Sequence, residues 1–218
     1  MSAAGLDHVS HVPPQARDGT PVAVLLHGRG SDMRDLQGLQ RLLPEGMPLV
    51  TPQAPHPGLP WGYGPGWAWY RYVAEDRVEG ASLEASLAAL DAFLDGLPSI
   101  LPVRPGPVVL GGFSQGGTVS LAYALRRPGK VAAVLNFSGF LLHDSLLDVT
   151  AEAAAATPVF WGHGIHDPAI PHALGERGRT RLRAAGADVT TSDPPIGHWI
   201  DPQEMREAVA WVGERVGG

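Results

Sequence analysis

The sequence contains no cysteine among its 218 residues. This absence excludes disulfide bonds, thiolate metal sites and cysteine nucleophiles together. A chain without cysteine is compatible with both cytoplasmic and secreted locations. Nothing in the sequence therefore requires an oxidising compartment.

Long apolar runs and basic clusters are also missing. No run approaches the ~18 apolar residues of a membrane-spanning helix. The N-terminal stretch MSAAGLDHVSHVPP lacks the basic start and apolar segment that are typical of a signal peptide. The formal net charge is −6, and no concentrated basic face is available to neutralise phosphates. We therefore expect a cytoplasmic protein with no nucleic-acid partner and no stable membrane insertion.

The composition is that of a globular protein with a packed core, because 44% of the residues are hydrophobic and 17% are charged. The length suits one domain, 1–218. Apolar, β-rich runs alternate with helical patterns, which predicts an α/β fold with a mostly parallel central sheet and helices on both faces. The predicted strands lie at 21–27, 47–52, 107–112, 131–139, 157–162 and 187–193, and the predicted helices at 32–43, 80–97, 115–127, 171–185 and 201–216.

Residues 111–117, GGFSQGG, lie between a predicted strand and a predicted helix. They contain the pattern G-x-S-x-G, which is typical of a sharp turn that exposes a serine hydroxyl above the sheet. Ser114 is the serine of this turn. The adjacent helix N-terminus favours negative charge that develops beside it. The pattern therefore predicts a nucleophile at Ser114.

A serine nucleophile needs a general base, and the base needs a third group to orient it. Asp167 and His198 each follow a predicted strand, in the chain order Ser, Asp, His that is typical of this hydrolase arrangement. Asp193 and Asp201 are alternatives to Asp167, since both lie nearer to His198 in sequence. They flank its own loop, however, so the topology favours Asp167.

Charge stabilisation requires N–H donors aimed at the oxyanion of the tetrahedral intermediate. The residue after the nucleophile, Gln115, supplies one predicted backbone donor. The segment LLHGRGSD follows an earlier strand, and the N–H of Arg29 is the second predicted donor.

Six segments together make the chain similar to a known family: LLHGRGSD, VTPQAP, GGFSQGG, FSGF, HGIHDPAIP and GHW. They resemble the α/β-hydrolase fold, and more narrowly the bacterial phospholipase/carboxylesterase group that includes acyl-protein thioesterase-like enzymes. The resemblance implies a cofactor-free esterase or thioesterase with the triad Ser114, Asp167 and His198. Many relatives carry an apolar residue where Arg29 stands, and fewer have a tryptophan at the position of Trp199.

The remaining histidines admit structural interpretations. His27 is expected to brace its own loop. His163 and His166 form H-x-x-H-D with Asp167, but no second cluster with metal-ligand spacing accompanies them. We therefore expect no metal and no cofactor, and we expect His163 to shape the loop of Asp167.

The aromatic stretch WGYGPGWAWYRY lies in a long predicted loop over 53–79. Its rings either pack on the domain or form an acyl-binding wall, and the sequence leaves both readings open. The residues predicted to line the substrate site are Trp67, Trp69, Phe140 and Trp199. The side chain of Arg29 either is solvated or points inward, where it would favour acidic or polar acyl groups.

The pattern as a whole predicts a serine carboxylesterase that cleaves small to medium acyl esters. An acyl thioesterase or a lysophospholipase with the same triad is the alternative, and a non-catalytic binding protein of the same fold is a weaker one. A dienelactone hydrolase usually has cysteine at the position of Ser114. The expected partner is a small-molecule ester; the sequence permits a homodimer but locates no interface.

Overall fold

A seven-stranded sheet forms the centre of the molecule. The structure is a computed structural model that describes residues 5–74 and 76–216. The strands of this sheet are β1 (His8–His11), β2 (Val22–Leu26), β3 (Leu49–Pro52), β8 (Val108–Phe113), β9 (Ala133–Phe137), β10 (Val159–Gly162) and β11 (Val189–Ser192). Four short strands form two separate pairs, β4 (His56–Pro57) with β5 (Trp67–Ala68) and β6 (Tyr72–Ala74) with β7 (Arg77–Val78). The central sheet has the order β1-β3-β2-β8-β9-β10-β11. Only β1 runs antiparallel to its neighbour in this sheet.

Helices cover both faces of this sheet. They are α1 (Gly80–Ile100), α2 (Gln115–Arg126), α3 (Ala151–Ala155), α4 (His172–Ala184) and α5 (Pro202–Val216). Apolar residues of α1 to α4 pack with one face of the strands, and those of α5 and of a 3₁₀ helix (Asp35–Leu42) pack with the other. The central strands are buried on both faces, which explains their continuous apolar runs.

The predicted strands and helices correspond to observed ones with shifts at their ends. The exception is 32–43, which forms the 3₁₀ helix and not an α-helix; no side chain caps its start at Arg34. The helix predicted at 80–97 continues to Ile100. Three features were not predicted: the edge strand β1, the five-residue α3, and the short pairs β4–β5 and β6–β7 within 53–79.

The connection between β9 and β10 contains only α3, so no large cap is inserted there. Within residues 5–74 and 76–216, no helix has the length and apolar character needed to cross a bilayer.

The ends of β2, β8 and α2 approach one another so closely that side chains are excluded. A Cβ atom added to Gly116 would lie 2.0 Å from the carbonyl oxygen of Leu26, and one added to Gly112 would lie 2.4 Å from the same oxygen. Both distances are far below van der Waals contact. The two glycines of the G-x-S-x-G pattern are therefore required by the contact between the helix and the sheet.

We expect Gly116→Ala to lower the free energy of unfolding by about 3 kcal/mol or more, since the added methyl group meets fixed backbone. Gly96→Ala is the matched control, because Gly96 lies inside α1, near its C-terminal end, and a Cβ atom there meets nothing within 4 Å. That exchange should stabilise the protein by up to about 1 kcal/mol. Urea unfolding followed by circular dichroism measures both; equal effects would contradict the close-contact explanation.

Candidate active site

Ser114 lies at the turn between β8 and α2 in a conformation that is rare for a residue with a side chain. Its φ is 55° and its ψ is −116°. The backbone is held there by the Ser114 N–H, which donates to the carbonyl of Phe137 at 2.8 Å. Such strain persists only where surrounding structure enforces it, and it projects the hydroxyl away from the sheet.

His198 and Asp167 meet Ser114 in a continuous hydrogen-bonded chain. The Nε2 atom of His198 lies 3.0 Å from Oγ of Ser114, and its Nδ1 atom lies 2.6 Å from Oδ2 of Asp167. Neither sequence alternative to Asp167 contacts His198. Asp193 binds His172 and Arg179, and Asp201 caps the start of α5.

The carboxylate of Asp167 is buried yet favoured in its charged form. Burial by itself raises its pKa. The bond to His198, together with the N–H groups of Ile170 and Ala169 on Oδ1 at 2.9 and 2.8 Å, outweighs burial and lowers the pKa of Asp167 below its usual value. The charged form of Asp167 can fix the ring orientation of His198 and stabilise its protonated form.

His163 lies behind this carboxylate and is fully buried. Its Nε2 atom lies 2.9 Å from the carbonyl of Ile170 and 3.5 Å from Oδ2 of Asp167. Burial lowers the pKa of His163, which favours the neutral ring with a proton on Nε2. His163 thus closes the turn that presents Asp167, whereas His166 is exposed to solvent.

The two predicted oxyanion donors flank Ser114. Gln115 is the first residue of α2, and Arg29 lies in the loop after β2. In the part of the chain that the structure describes, neither backbone N–H has a protein acceptor. Both donors are therefore available to a ligand beside Ser114.

The side chain of Gln115 has a further role that the sequence did not indicate. It is fully buried, accepts a hydrogen bond from the N–H of Trp69 at 3.0 Å and donates one to the carbonyl of Tyr70 at 2.9 Å. The indole of Trp69 donates to the carbonyl of His27 at 3.0 Å. The start of α2 and the end of β2 thereby hold the aromatic loop in place.

A cavity of about 470 Å³ opens beside Ser114. A groove of about 250 Å³ adjoins it on the side of His198. The cavity is lined by Gly28, Arg29, Ser31, Asp35, Tyr72, Ala74, Phe113, Ser114, Ala169, Ile170 and His198. The groove is mostly apolar and is lined by Asp35, Leu36, Gly38, Leu39, Phe113, His198, Trp199 and Ile200.

Of the four residues expected to line the substrate site, one lines the groove and none lines the cavity. Trp69 and Phe140 are 0% and 1% exposed and do not line the cavity, so the expectation for them is corrected: both are core residues. Trp67 does not line it either; its backbone pairs with Ser31 beside Arg29. Trp199 is 54% exposed and lines the groove.

The aromatic ring that reaches the cavity from the loop is Tyr72, which packs in front of Phe140 with ring centroids 6.4 Å apart. Tyr72 belongs to the aromatic stretch WGYGPGWAWYRY, and the sequence could not indicate which of its rings lines the cavity. Both interpretations that the sequence left open therefore apply to parts of this loop: Trp69 and Tyr70 pack in the core, and Tyr72 lines the cavity.

One group of side chains has the composition of a metal site. Ligand atoms of His172, Glu176 and Asp193 lie within 4.8 Å of one another. Nη1 of Arg179 donates to Glu176 at 2.6 Å and to Asp193 at 2.7 Å, which supplies the cation that the two carboxylates need. These contacts describe a structural ion-pair cluster, and none of its members lines the cavity beside Ser114.

The family model described as Phospholipase/Carboxylesterase matches residues 8–213. The chain belongs to this family. An acyl-protein thioesterase 1 from Cryptococcus neoformans is 27% identical over 96% of this chain and 97% of its own length. The crystal structure of esterase PE8 is 28% identical, with a TM-score of 0.80 over 97% of this chain and 99% of that one.

The acyl-protein thioesterase 2 of Zea mays, at 24% identity and a TM-score of 0.78 over 97% of this chain and 99% of that one, shares the fold. These matches confirm the predicted α/β-hydrolase fold with a mostly parallel sheet and no large cap. Membership in the phospholipase/carboxylesterase family makes the chain an esterase-type hydrolase.

Glu204, near the start of α5, is a buried acid that sequence reasoning missed. It is 2% exposed, and its Oε1 atom has no hydrogen-bond partner among the described residues. Its Oε2 atom accepts from the N–H of Asp201 at 3.2 Å. Burial raises the pKa of Glu204 to about 7 from its ordinary 4.5.

The folded protein therefore keeps a proton on Glu204 that the unfolded chain releases between about pH 4.5 and about pH 7. As the pH rises through this window, the free energy of unfolding of wild type should fall by about 3 kcal/mol relative to that of Glu204→Gln. Urea unfolding of both proteins across the window measures the difference. The histidines titrate in both proteins, so their contributions cancel in the difference. If the unfolding free energies of the two proteins change in parallel with pH, the pKa of Glu204 is not raised.

Proposed function

We propose that the protein is a serine carboxylesterase that cleaves small to medium acyl esters through an acyl-enzyme on Ser114. The observation that carries the proposal is the chain of contacts from Oγ of Ser114 through His198 to Asp167, at 3.0 and 2.6 Å. Family membership supports the same class of reaction.

In the first step, Oγ of Ser114 attacks the acyl carbon while its proton passes to Nε2 of His198. The carbonyl oxygen becomes an oxyanion facing the N–H groups of Gln115 and Arg29. Collapse of the intermediate breaks the bond to the leaving oxygen, which takes the proton from Nε2. The alcohol departs, and the acyl group stays on Oγ.

In the second step, water attacks the acyl carbon and gives a proton to Nε2 of His198. Collapse releases the carboxylic acid, and the proton on Nε2 returns to Oγ of Ser114. Asp167 stabilises the protonated ring in both steps without taking up a proton itself. Each cycle consumes one water molecule and one ester, so the reaction needs no cofactor.

The leaving group must lie on the side of His198, because Nε2 protonates it. The groove lined by Trp199 lies on that side, and neither Ser114 nor Arg29 is among the residues that line it. We therefore assign the groove to the alcohol and the cavity beyond Ser114 to the acyl group. The volume of about 470 Å³ favours small to medium acyl groups.

A thioester is the second candidate substrate, since the relative from Cryptococcus neoformans is an acyl-protein thioesterase similar over nearly its full length. The same residues would transfer the proton to a leaving sulfur instead of oxygen. Paired acetyl esters and thioesters with equal acyl groups would separate the two by their kcat/KM ratio.

Ser114→Ala should lower kcat for p-nitrophenyl esters by at least about 10⁴-fold, because no other hydroxyl takes the place of Oγ. Asp167→Asn should also cause a fall of about 10⁴-fold, since the ring of His198 loses its correct tautomer. A series from acetate to dodecanoate measures both and gives the preferred acyl length.

Ser99→Ala, at an exposed position of α1, is the matched control and should keep full activity. Circular dichroism checks that each variant is folded. Undiminished turnover by Ser114→Ala would overturn the proposal. If wild type hydrolyses none of the esters and Ser114 is not labelled by a fluorophosphonate, a non-catalytic binding protein is favoured.

Trp199→Ala should raise KM for esters of bulky apolar alcohols about threefold to tenfold, because the indole contributes apolar surface to the groove. Esters of methanol with the same acyl group should change little. Leu59→Ala is the control, since Leu59 is 68% exposed and lies outside the groove. Equal KM increases for both alcohols would contradict the assignment of the groove.

The single domain over 1–218, a cytoplasmic location and a homodimer remain predictions. Limited proteolysis, cell fractionation and light scattering test them in that order.

A further inference from the structure

Arg29 offers the cavity a positive charge held in a fixed place. Its guanidinium carbon lies 4.9 Å from the ring centroid of Tyr63 and 5.3 Å from that of Tyr72. Stacking on aromatic faces uses the flat surfaces of a guanidinium and leaves its N–H edges available for hydrogen bonds. The side chain lines the same cavity as Ser114.

The two tyrosines are themselves anchored. The N–H of Tyr72 donates to the hydroxyl of Tyr63 at 2.7 Å, and the hydroxyls of Tyr72 and Tyr70 lie 3.3 Å apart. Tyr70 is fully buried. A guanidinium resting on these rings loses little further freedom when it binds a ligand, which favours recognition.

Among the described residues, no acidic side chain is paired with Arg29. Within residues 5–74 and 76–216, no carboxylate oxygen lies within 4.0 Å of its nitrogen atoms, whereas many other arginines have such a partner. Asp35 is the acid that lines the cavity, and it also lines the groove on the side of His198. The cavity thus has a positive element on the acyl side and a negative one towards the leaving group.

We infer that Arg29 is a specificity-determining residue that selects esters whose acyl group carries a carboxylate away from the reacting carbon. The substrate class is then a monoester of an aliphatic dicarboxylic acid. The terminal carboxylate accepts hydrogen bonds from the guanidinium edge, while the ester carbonyl lies at Ser114. This inference rests on the proposed esterase function and adds the charge of the acyl group to it.

Two pairs of substrates test it. The mono-p-nitrophenyl esters of adipic and suberic acid are compared with their terminal amides, which have equal length and no charge. We expect wild type to prefer the acids, and Arg29→Leu to lower the acid-to-amide ratio of kcat/KM about tenfold. Because the ratio is taken within each variant, a general loss of activity cancels.

Arg34→Leu is the matched control for net charge. Arg34 lies in the same loop, is paired with Asp32 and does not line the cavity, so its removal should leave the ratio unchanged. Asp35→Asn should raise the ratio, because it removes a negative charge that faces the same space. Added salt should reduce the preference of wild type for the acids.

An acid-to-amide ratio that is the same in wild type and Arg29→Leu overturns the inference and leaves the esterase function intact, provided that both esters are cleaved in a Ser114-dependent manner. A ratio that falls equally in Arg34→Leu also overturns it, since the effect is then one of net charge. If neither ester is cleaved and Ser114 is not labelled by a fluorophosphonate, the proposed function fails and the inference fails with it.

Discussion

The contact between the end of β2 and the start of α2 is the constraint on which the rest of the site depends. The carbonyl of Leu26 occupies the space that side chains would need at Gly112 and Gly116. Because strand and helix meet at this distance, Ser114 between them adopts a φ of 55° and its hydroxyl projects from the sheet. The same crossing places the first N–H groups of α2 beside that hydroxyl. A loop of ordinary length between β8 and α2 would provide neither feature.

Burial is used selectively around this turn. Asp167 is removed from water, but two backbone donors and His198 keep it charged. His163 lies behind this carboxylate, and burial lowers its pKa and favours the neutral ring, so no partner charge is needed there. The negative charge behind His198 is therefore maintained by hydrogen bonds to the carboxylate of Asp167.

The strands and the residues that meet at their ends were predictable for a common reason. A buried parallel strand needs a mostly apolar run, and β2, β8 and β10 are such runs. The strand β11 (VTTS) is only partly buried and is indicated by its β-branched residues. Ser114, Asp167 and His198 follow β8, β10 and β11, and the carboxyl ends of parallel strands lie at one edge of the sheet, so the three residues could be predicted to meet.

Other features depend on contacts between distant segments. The strand β1 has the sequence HVSH, with no apolar run to indicate it, and its pairing with β3 defines it. Trp69 was expected at the substrate and is a core residue, because Gln115 and His27 bind its backbone and its indole from elsewhere in the chain. No local pattern distinguishes it from Tyr72, which stands at the surface of the same loop.

The attachment of the aromatic loop fixes one wall of the cavity beside Ser114. Trp69 and Tyr70 are bound at their backbone by the side chain of Gln115, the residue that follows Ser114. The loop cannot move away from the sheet without breaking these hydrogen bonds to Gln115. The wall of the cavity at Tyr72 is therefore tied to the start of α2 and is preformed.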